Sequence, residues 1–308
     1  MANQKHLTLL QRELKAWNRW REDHPQNRPD LSGASLRRRN LRECNLSQSN
    51  LSQVDLRQAD LCLASLEAAN LMGADLTEAL LYTTDLRRAN LREAILKGAD
   101  LSEASLEAVD LSLANLSHAN LSRADLTEAI LYTANLREAI LVDAELIRTD
   151  LREVDFSMAN LKGADLRNGN LSCAIFSLTN LVGATLTASK LTQANLSLAN
   201  LCMANVMGAD LREAKLIGAN LIGANFYTAN LSQADIREAD LREAALSKAN
   251  FERANLQHAD LSMANLREAN LDGAFLEGAN LHKANLWSTS WEGARLQGAI
   301  MPDGTRHD

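Results

Sequence analysis

From residue 31 to residue 296 every fifth residue is a large apolar one, 54 times without a slip of register. Of these centres 47 are Leu; the others are Phe156, Phe176, Val206, Phe226, Ile236, Phe251 and Trp291. Two residues before each centre stands mostly Ala, and one before it mostly Asp or Asn. No helix can use this period. Five residues at about 100° each place successive centres about 140° apart, so no face stays apolar. A flat strand fails too, because an odd interval sends alternate centres to opposite faces. Within one unit the Ala and the centre are two apart and share a face in extended backbone. A bend every five residues keeps the next pair pointing inward. Asn and Asp suit such bends, since they tolerate unusual backbone angles and bond their own backbone. The chain is therefore expected to wind as a coil, one short side per unit. Spacing alone leaves three, four or six sides open.

Proline placement agrees. Pro25, Pro29 and Pro302 all stand outside the 54 centres. Coils stacked through backbone hydrogen bonds need nearly every N–H, and proline has none.

The units read ANLREA, ADLTEA and ANLSLA, among many others. They resemble the A(D/N)LXX motif of the pentapeptide-repeat family over about nine-tenths of the chain. The resemblance implies an all-β solenoid: a right-handed quadrilateral β-helix, four units to a coil and about 13 coils. The tail GAIMPDGTRHD and the entry AWNRWREDHPQNRPDLSGASL also resemble bacterial members, the tail those of cyanobacteria. Three regions are expected: an N-terminal helix and linker at 1–28, an uninterrupted repeat region at 29–300, and a tail at 301–308.

An open β-helix end exposes apolar core and unpaired backbone. Leu7, Leu10, Leu14 and Trp17 follow helical spacing, with Trp20 extending the stripe. One helix is expected here, with Thr8 and Gln11 as a capping box, folded over the first coil as a cap. The rival reading is a membrane-surface or partner-binding helix, since residues 1–28 carry net +3. The inward column departs from Ala at Arg39, Cys44, Ser49 and Val54, so the first coils should be irregular or covered. At the far end Trp287 and Trp291 are expected to cover the last coil.

The net charge of −7 argues against direct nucleic-acid binding, whose surfaces are basic. Cys44, Cys62, Cys173 and Cys202 show no CxxC spacing and read as small filler in a reducing compartment. No apolar run is long enough to span a bilayer, and no signal-peptide pattern opens the chain; a cytoplasmic location is expected. There is no P-loop, no dinucleotide fingerprint and no nucleophile elbow. The six histidines are scattered, and His118 and His258 lie seven coils apart if four units make a coil. No catalytic residue, metal site or cofactor is expected, and the chain reads as a non-enzyme.

Function must then lie on outward positions. Eight Arg-Glu pairs follow centres, from 42–43 to 267–268, and read as self-neutralising surface charge. Two zones depart from that background. Residues 98–145 hold nine acids and two arginines. Asp100, Glu103, Glu107, Asp125, Glu128, Asp143 and Glu145 fall on two adjacent sides of a four-sided coil. The second zone is apolar: between Arg167 and Asp210 the only charge is Lys190, and 216–234 has none. Met158, Leu178 and Leu198 form one outward column, and Val182, Cys202 and Ile222 another. Met203, Met207, Ile217 and Tyr227 lie nearby. Contiguous exposed apolar patches mark partner surfaces in many proteins. The reading is a rigid scaffold that binds a protein partner or a second copy, and the resemblance to cyanobacterial members implies regulation. The alternative, also implied by the resemblance, is a DNA mimic acting on DNA gyrase through the acidic belt.

Overall fold

The computed structural model describes residues 2–308. Its unit of construction is a turn and a single bridging residue. In all 54 units the second residue after the centre has positive φ, between 53° and 73°. The residue after that donates its N–H to the carbonyl of the centre, as Ala34 does to Leu31 at 3.1 Å. A four-residue turn with a left-handed third residue is a type II turn. The residue just before each centre then bridges, in parallel, to the residue twenty positions on: Asn50 to Asn70, Asn70 to Asn90, Asp210 to Asn230. Twenty residues is four units, so the coil has four sides. The bridges are isolated, one residue per side, and no longer strand forms among the described residues.

The bend is not where Asn and Asp stand. Those residues occupy the bridging position, and the left-handed residue is Gly in only 12 units. Gln58, Leu63 and Arg123 take it elsewhere, at a cost of about 1–2 kcal/mol for an L residue. The Asn or Asp instead braces the turn from outside. Its Oδ1 accepts the N–H two residues on, as Asp75 does from Thr77 at 3.0 Å and Asn120 from Ser122 at 3.1 Å.

The described chain forms two compact units, one ending at Asp150 and one running from Leu151 to Asp308. In the first, every centre from Leu31 to Leu146 is buried. In the second the same holds from Leu151 to Leu281, with Phe156 stacked on Phe176 at 5.0 Å. The inward hydroxyls of Thr84 and Thr179 donate to the Leu61 and Phe156 carbonyls, while the Ser49 hydroxyl in the first coil finds no partner among the described residues. Each interior is a filled ladder of Leu over Ala; each buried Leu contributes about 1.5–3 kcal/mol, and coils gain it only by stacking.

The N-terminal segment is two helices, where the sequence led to one. α1 spans Gln4–Arg12 and α2 spans Leu14–Asp23, with Glu13 extended between them. The N-cap is Asn3, whose side chain accepts from Lys5 and His6, so the Thr8–Gln11 box does not form. Leu10 and Trp17 are buried, while Leu7, Leu14 and Trp20 are half-buried. Beneath them Leu31, Leu36, Leu41 and Leu46 are closed off from water, so the first coil is covered, and its turns are as regular as the rest.

At the other end the expected aromatic cover is absent. Trp287 is 59% exposed and Trp291 40% exposed. The Trp287 ring lies outside, under the Arg267 guanidinium at 4.2 Å. The tail folds back instead. Arg306 pairs antiparallel with Ile300, the Gly298 N–H donates to the His307 carbonyl, and the His307 N–H donates to the Ala299 carbonyl.

Candidate functional site

The first unit's cap is built from polar atoms as much as apolar ones. A coil offers the carbonyl of each bridging residue to the coil before it, and its N–H as well. The first coil has no such neighbour. At Asn45 the cap supplies the missing partners: Trp17 Nε1 donates to the carbonyl at 2.8 Å, and Asn18 Oδ1 accepts the N–H at 2.9 Å. Asn18 Nδ2 also donates to the Glu43 carbonyl. Arg21, buried, donates to the Ser47 carbonyl at 2.7 Å and to the Asn27 carbonyl at 2.6 Å. Three side chains thus imitate a preceding coil. The apolar stripe pointed to a cap, but Asn18 and Arg21 looked like its solvent face. Cys44 lies under this lid, and burial pushes its thiol up to about 12.

The belt in the first unit is partly neutralised. Glu103 pairs with Arg123, one coil on, and accepts the Tyr82 hydroxyl at 3.0 Å. Glu128 pairs with Arg148 at 2.7 Å. Asp100 spends Oδ1 on the Ser102 N–H and hydroxyl and on Asn120 Nδ2; Asp125 accepts from the Thr127 N–H. Glu107, Asp143 and Glu145 are exposed. Asp125 bridges directly to Glu145, which brings two carboxylates into one column.

Where Asp precedes a centre, the arginine after that centre turns back to the Asp rather than to a following Glu. Arg212, Arg237 and Arg242 fork onto Asp210, Asp235 and Asp240, each at 2.7 Å. The guanidinium bonds hold Asp210 and Asp235 below the usual carboxylate range. Where Asn stands before the centre the neighbour can win, as in Arg267 with Glu268 at 3.0 Å.

The apolar zone assembles as one face of the second unit. Bridges from Asn160 to Asn180, Asn180 to Asn200 and Asn200 to Asn220 put these four in register, with Asn180 Nδ2 bonded to Asn160 Oδ1 at 3.0 Å. This uncharged row of bridging asparagines separates the two apolar columns. On one side Leu178 is 57% and Leu198 59% exposed, with Met158 below them. On the other, Val182, Cys202 and Ile222 are half-buried and Met203 is exposed. Ile217 continues the first side; Met207 and Tyr227 lie on the next one. Two glycines shape this surface and were missed in the sequence. A Cβ on Gly218 would stand 2.9 Å from Leu198 Cδ2, and one on Gly223 2.7 Å from Met203 Sδ. The signal was there: each glycine stands twenty residues after the side chain it accommodates.

Clefts are shallow and chemically bland. One of about 620 Å³ lies between α1 and the first coils and is lined by Ala2, Gln4, Leu7, Ser32, Gly33, Ala34, Ser35, Ser52 and Gln53. Among the described residues no cluster of His, Cys, Asp and Glu could hold a metal, and no helix is long and apolar enough to cross a membrane.

The family described as pentapeptide repeats (8 copies) matches ten segments, most of them overlapping, from residue 30 to residue 301. The chain belongs to the pentapeptide-repeat family. Among solved structures, this pentapeptide-repeat protein is similar to HetL, a pentapeptide repeat protein involved in heterocyst differentiation regulation in the cyanobacterium Nostoc. Identity is 33%, covering 94% of this chain and 97% of HetL, with a TM-score of 0.27. A pentapeptide repeat protein of the Arabidopsis thaliana thylakoid lumen is 34% identical over 37% of this chain and 66% of its own, with a TM-score of 0.21. Full-length QnrB1, a plasmid-mediated fluoroquinolone resistance protein, is 18% identical over 71% of this chain and 91% of its own, with a TM-score of 0.27. No curated protein matches significantly.

Proposed function

We propose that this pentapeptide-repeat protein is a non-enzymatic scaffold that docks a protein partner on the uncharged face of its second unit. The observation that carries the reading is the pairing of two apolar columns, Met158–Leu178–Leu198 and Val182–Cys202–Ile222, across a row of uncharged bridging asparagines. Exposed apolar side chains in register on a rigid surface cost little further to order when a partner binds, and monomers seldom keep such patches without a use. A regulatory role for the scaffold rests on the likeness of the tail GAIMPDGTRHD to cyanobacterial members. Its winding is read as right-handed, at four units per coil about 13 coils in all, within the cytoplasm.

Leu178→Glu with Leu198→Glu tests this. The double variant should lose the partners that wild type retains in an affinity pull-down from the native host, with the circular dichroism spectrum unchanged. Equal retention by both proteins overturns the reading. A second reading, a DNA mimic acting on gyrase, is favoured by the Asp125–Glu145 column and the exposed Asp143. It is the weaker one, because Glu103 and Glu128 already hold arginines. Charge reversal at Glu103, Asp125 and Glu128 should abolish any effect on supercoiling; an assay that does not respond removes it.

A further inference from the structure

Part of the first unit is written twice, fifty residues apart. Residues 60–87 and 110–137 agree at 19 of 28 positions. The repeat itself accounts for thirteen of these, as Leu centres, Ala, and the Asp or Asn before a centre. The other six are outward positions: Leu63, Thr77, Glu78, Tyr82, Thr83 and Arg87 recur at 113, 127, 128, 132, 133 and 137. Outward positions between them have diverged, Glu67, Ala68, Met72 and Gly73 against Ser117, His118, Ser122 and Arg123. Each copy builds the same apolar patch. Leu63, Leu80 and Tyr82 are 50%, 46% and 42% exposed; Leu113, Ile130 and Tyr132 are 49%, 42% and 37% exposed. The stacking is the same as well: the Leu63 N–H donates to the Tyr82 carbonyl at 3.1 Å, and the Leu113 N–H to the Tyr132 carbonyl at 2.9 Å. A coil is twenty residues. A shift of two and a half coils places the second patch on the opposite side, about 12 Å further along the coil axis.

We propose that these patches are twin docking sites, each taking one copy of a protein segment in which an apolar side chain is flanked by Lys or Arg. The column at the centre of each patch selects that chemistry. Leu80 bridges to Asp60 on the coil before and to Asp100 on the coil after; Ile130 bridges to Asp110 and Asp150 in the same way. Two carboxylates thus bracket one exposed apolar side chain, twice. Ile95 and Ile175 hold the same position in their own units, but each has Asp on one coil and Asn on the other. A cation already sits at the earlier aspartate of each patch. Arg42 lies on Asp60 at 3.3 Å and Arg92 on Asp110 at 3.9 Å, again fifty residues apart. Such exposed pairs are weak, so a ligand's cation displaces the arginine at little cost. Asp100 binds Ser102 and Asn120 through Oδ1 and has no ion-pair partner among the described residues. The Tyr82 hydroxyl donates to Glu103 at 3.0 Å, which fixes the ring. A fixed aromatic beside Leu63 and Leu80 gives the ligand's apolar side chain a preformed seat. One short segment cannot reach both sides of the coil, so the sites fill independently, two ligands to one chain. Both lie in the first unit and do not depend on the apolar face of the second.

Displayed random heptapeptides, panned on the immobilised full chain, test this, with Leu80→Asn plus Ile130→Asn as the counter-selecting variant. Asn is the commonest residue at that position, so the variant should keep the fold, and circular dichroism checks it. Peptides held by wild type and released by the double variant should carry an apolar residue between Lys or Arg. Calorimetric titration with one such peptide, synthesised, should count two equivalents per wild-type chain. Leu80→Asn alone and Ile130→Asn alone should each leave one, and the double variant none. The same peptide with Glu in place of its Lys and Arg should not bind. Leu178→Glu with Leu198→Glu should leave both equivalents, which separates the twin sites from the face proposed on the second unit. Failure to find any peptide that the double variant releases, a wild-type count of one, loss of binding in the second-unit variant, or equal binding of the glutamate peptide each overturns the proposal.

Discussion

The first and last coils share a backbone pattern and mostly leucine centres, yet their ends have opposite fates. Leu31, Leu36 and Leu46 are fully buried beneath two helices. Leu286 and Leu296 are half in water, and Trp291 more so. Both segments are rich in tryptophan, so aromatic content alone does not seal an end. Trp17 seals because α2 aims its indole N–H at an orphan carbonyl, with Asn18 and Arg21 filling the adjacent ladder positions. Trp287 follows a centre, so the repeat points it outward, where Arg267 of the preceding coil takes its ring. A solenoid end is closed when its backbone groups are answered, and apolar cover follows from that.

The sharpest way to break this contrast is to change the same residue type at both ends. Trp17→Ala should destabilise the protein by about 3–5 kcal/mol, the cost of a large buried aromatic, with an unanswered Asn45 carbonyl added. Trp287→Ala should cost less than about 1 kcal/mol, as expected for an exposed side chain. Urea unfolding of the two variants reads both. Comparable losses would mean that the ends are not held differently. Removing residues 2–24 altogether should produce aggregation, because it bares the first coil's core and edge together; light scattering reports it.

Next in size is the polar part of the cap. Asn18→Ala removes two bonds, to the Asn45 N–H and the Glu43 carbonyl, and should cost about 1–3 kcal/mol, the range for a buried group left unsatisfied. Asn18→Asp keeps the acceptor and loses the donor, so it should recover part of the loss. If Asn18→Ala is silent in urea unfolding, the cap holds by its apolar face alone, and the distinction drawn between the two ends fails. Alkylation sharpens the same point. Cys44 lies beneath the cap and its thiol is pushed up to about 12, whereas Cys173 is exposed. Cys173 should react first by a wide margin, and Asn18→Ala should accelerate Cys44 alone; mass spectrometry of timed digests shows which thiol is modified.

What the sequence disclosed divides along physical lines. A Leu every five residues is legible because each unit repeats one burial event, and burial dictates residue type. The left-handed turn residue is illegible because stacking imposes its conformation on whatever is there, Leu63 or Arg123 as well as Gly73. Leu10 and Trp17 announced the cap by helical spacing, but Asn18 and Arg21 carried no mark separating a ladder mimic from a solvated face. Nothing at Glu13, neither Pro nor Gly, signals the break between α1 and α2. Among the candidate surfaces, the apolar columns were readable once twenty residues were taken as a coil. The pairing of Glu103 with Arg123 and Glu128 with Arg148 was readable on the same ruler, yet a count of charges along the chain hides it.

The smallest effect expected is that of acid. Asp55, Asp85, Asp210 and Asp235 are held below the usual carboxylate range by the forked arginine two residues on. A carboxylate whose pKa is depressed by folding stabilises the fold above its unfolded value of about 3.9. That contribution disappears as the pH falls through the lower folded value. Stability in urea should therefore be flat from pH 7 to about 5 and decline below about 4, modestly, because these pairs are exposed and screened by water. Asp210→Asn with Asp235→Asn should flatten the decline. None of these forks stands in the first coil or the last, and Trp17, Asn18 and Arg21 do not change protonation in that range. The penalty of Trp17→Ala should consequently be the same at pH 3 as at pH 5, a span in which carboxylates titrate. A penalty that shrinks in acid would place carboxylates in the seal, and would mean that the two ends differ by charge rather than by answered backbone groups.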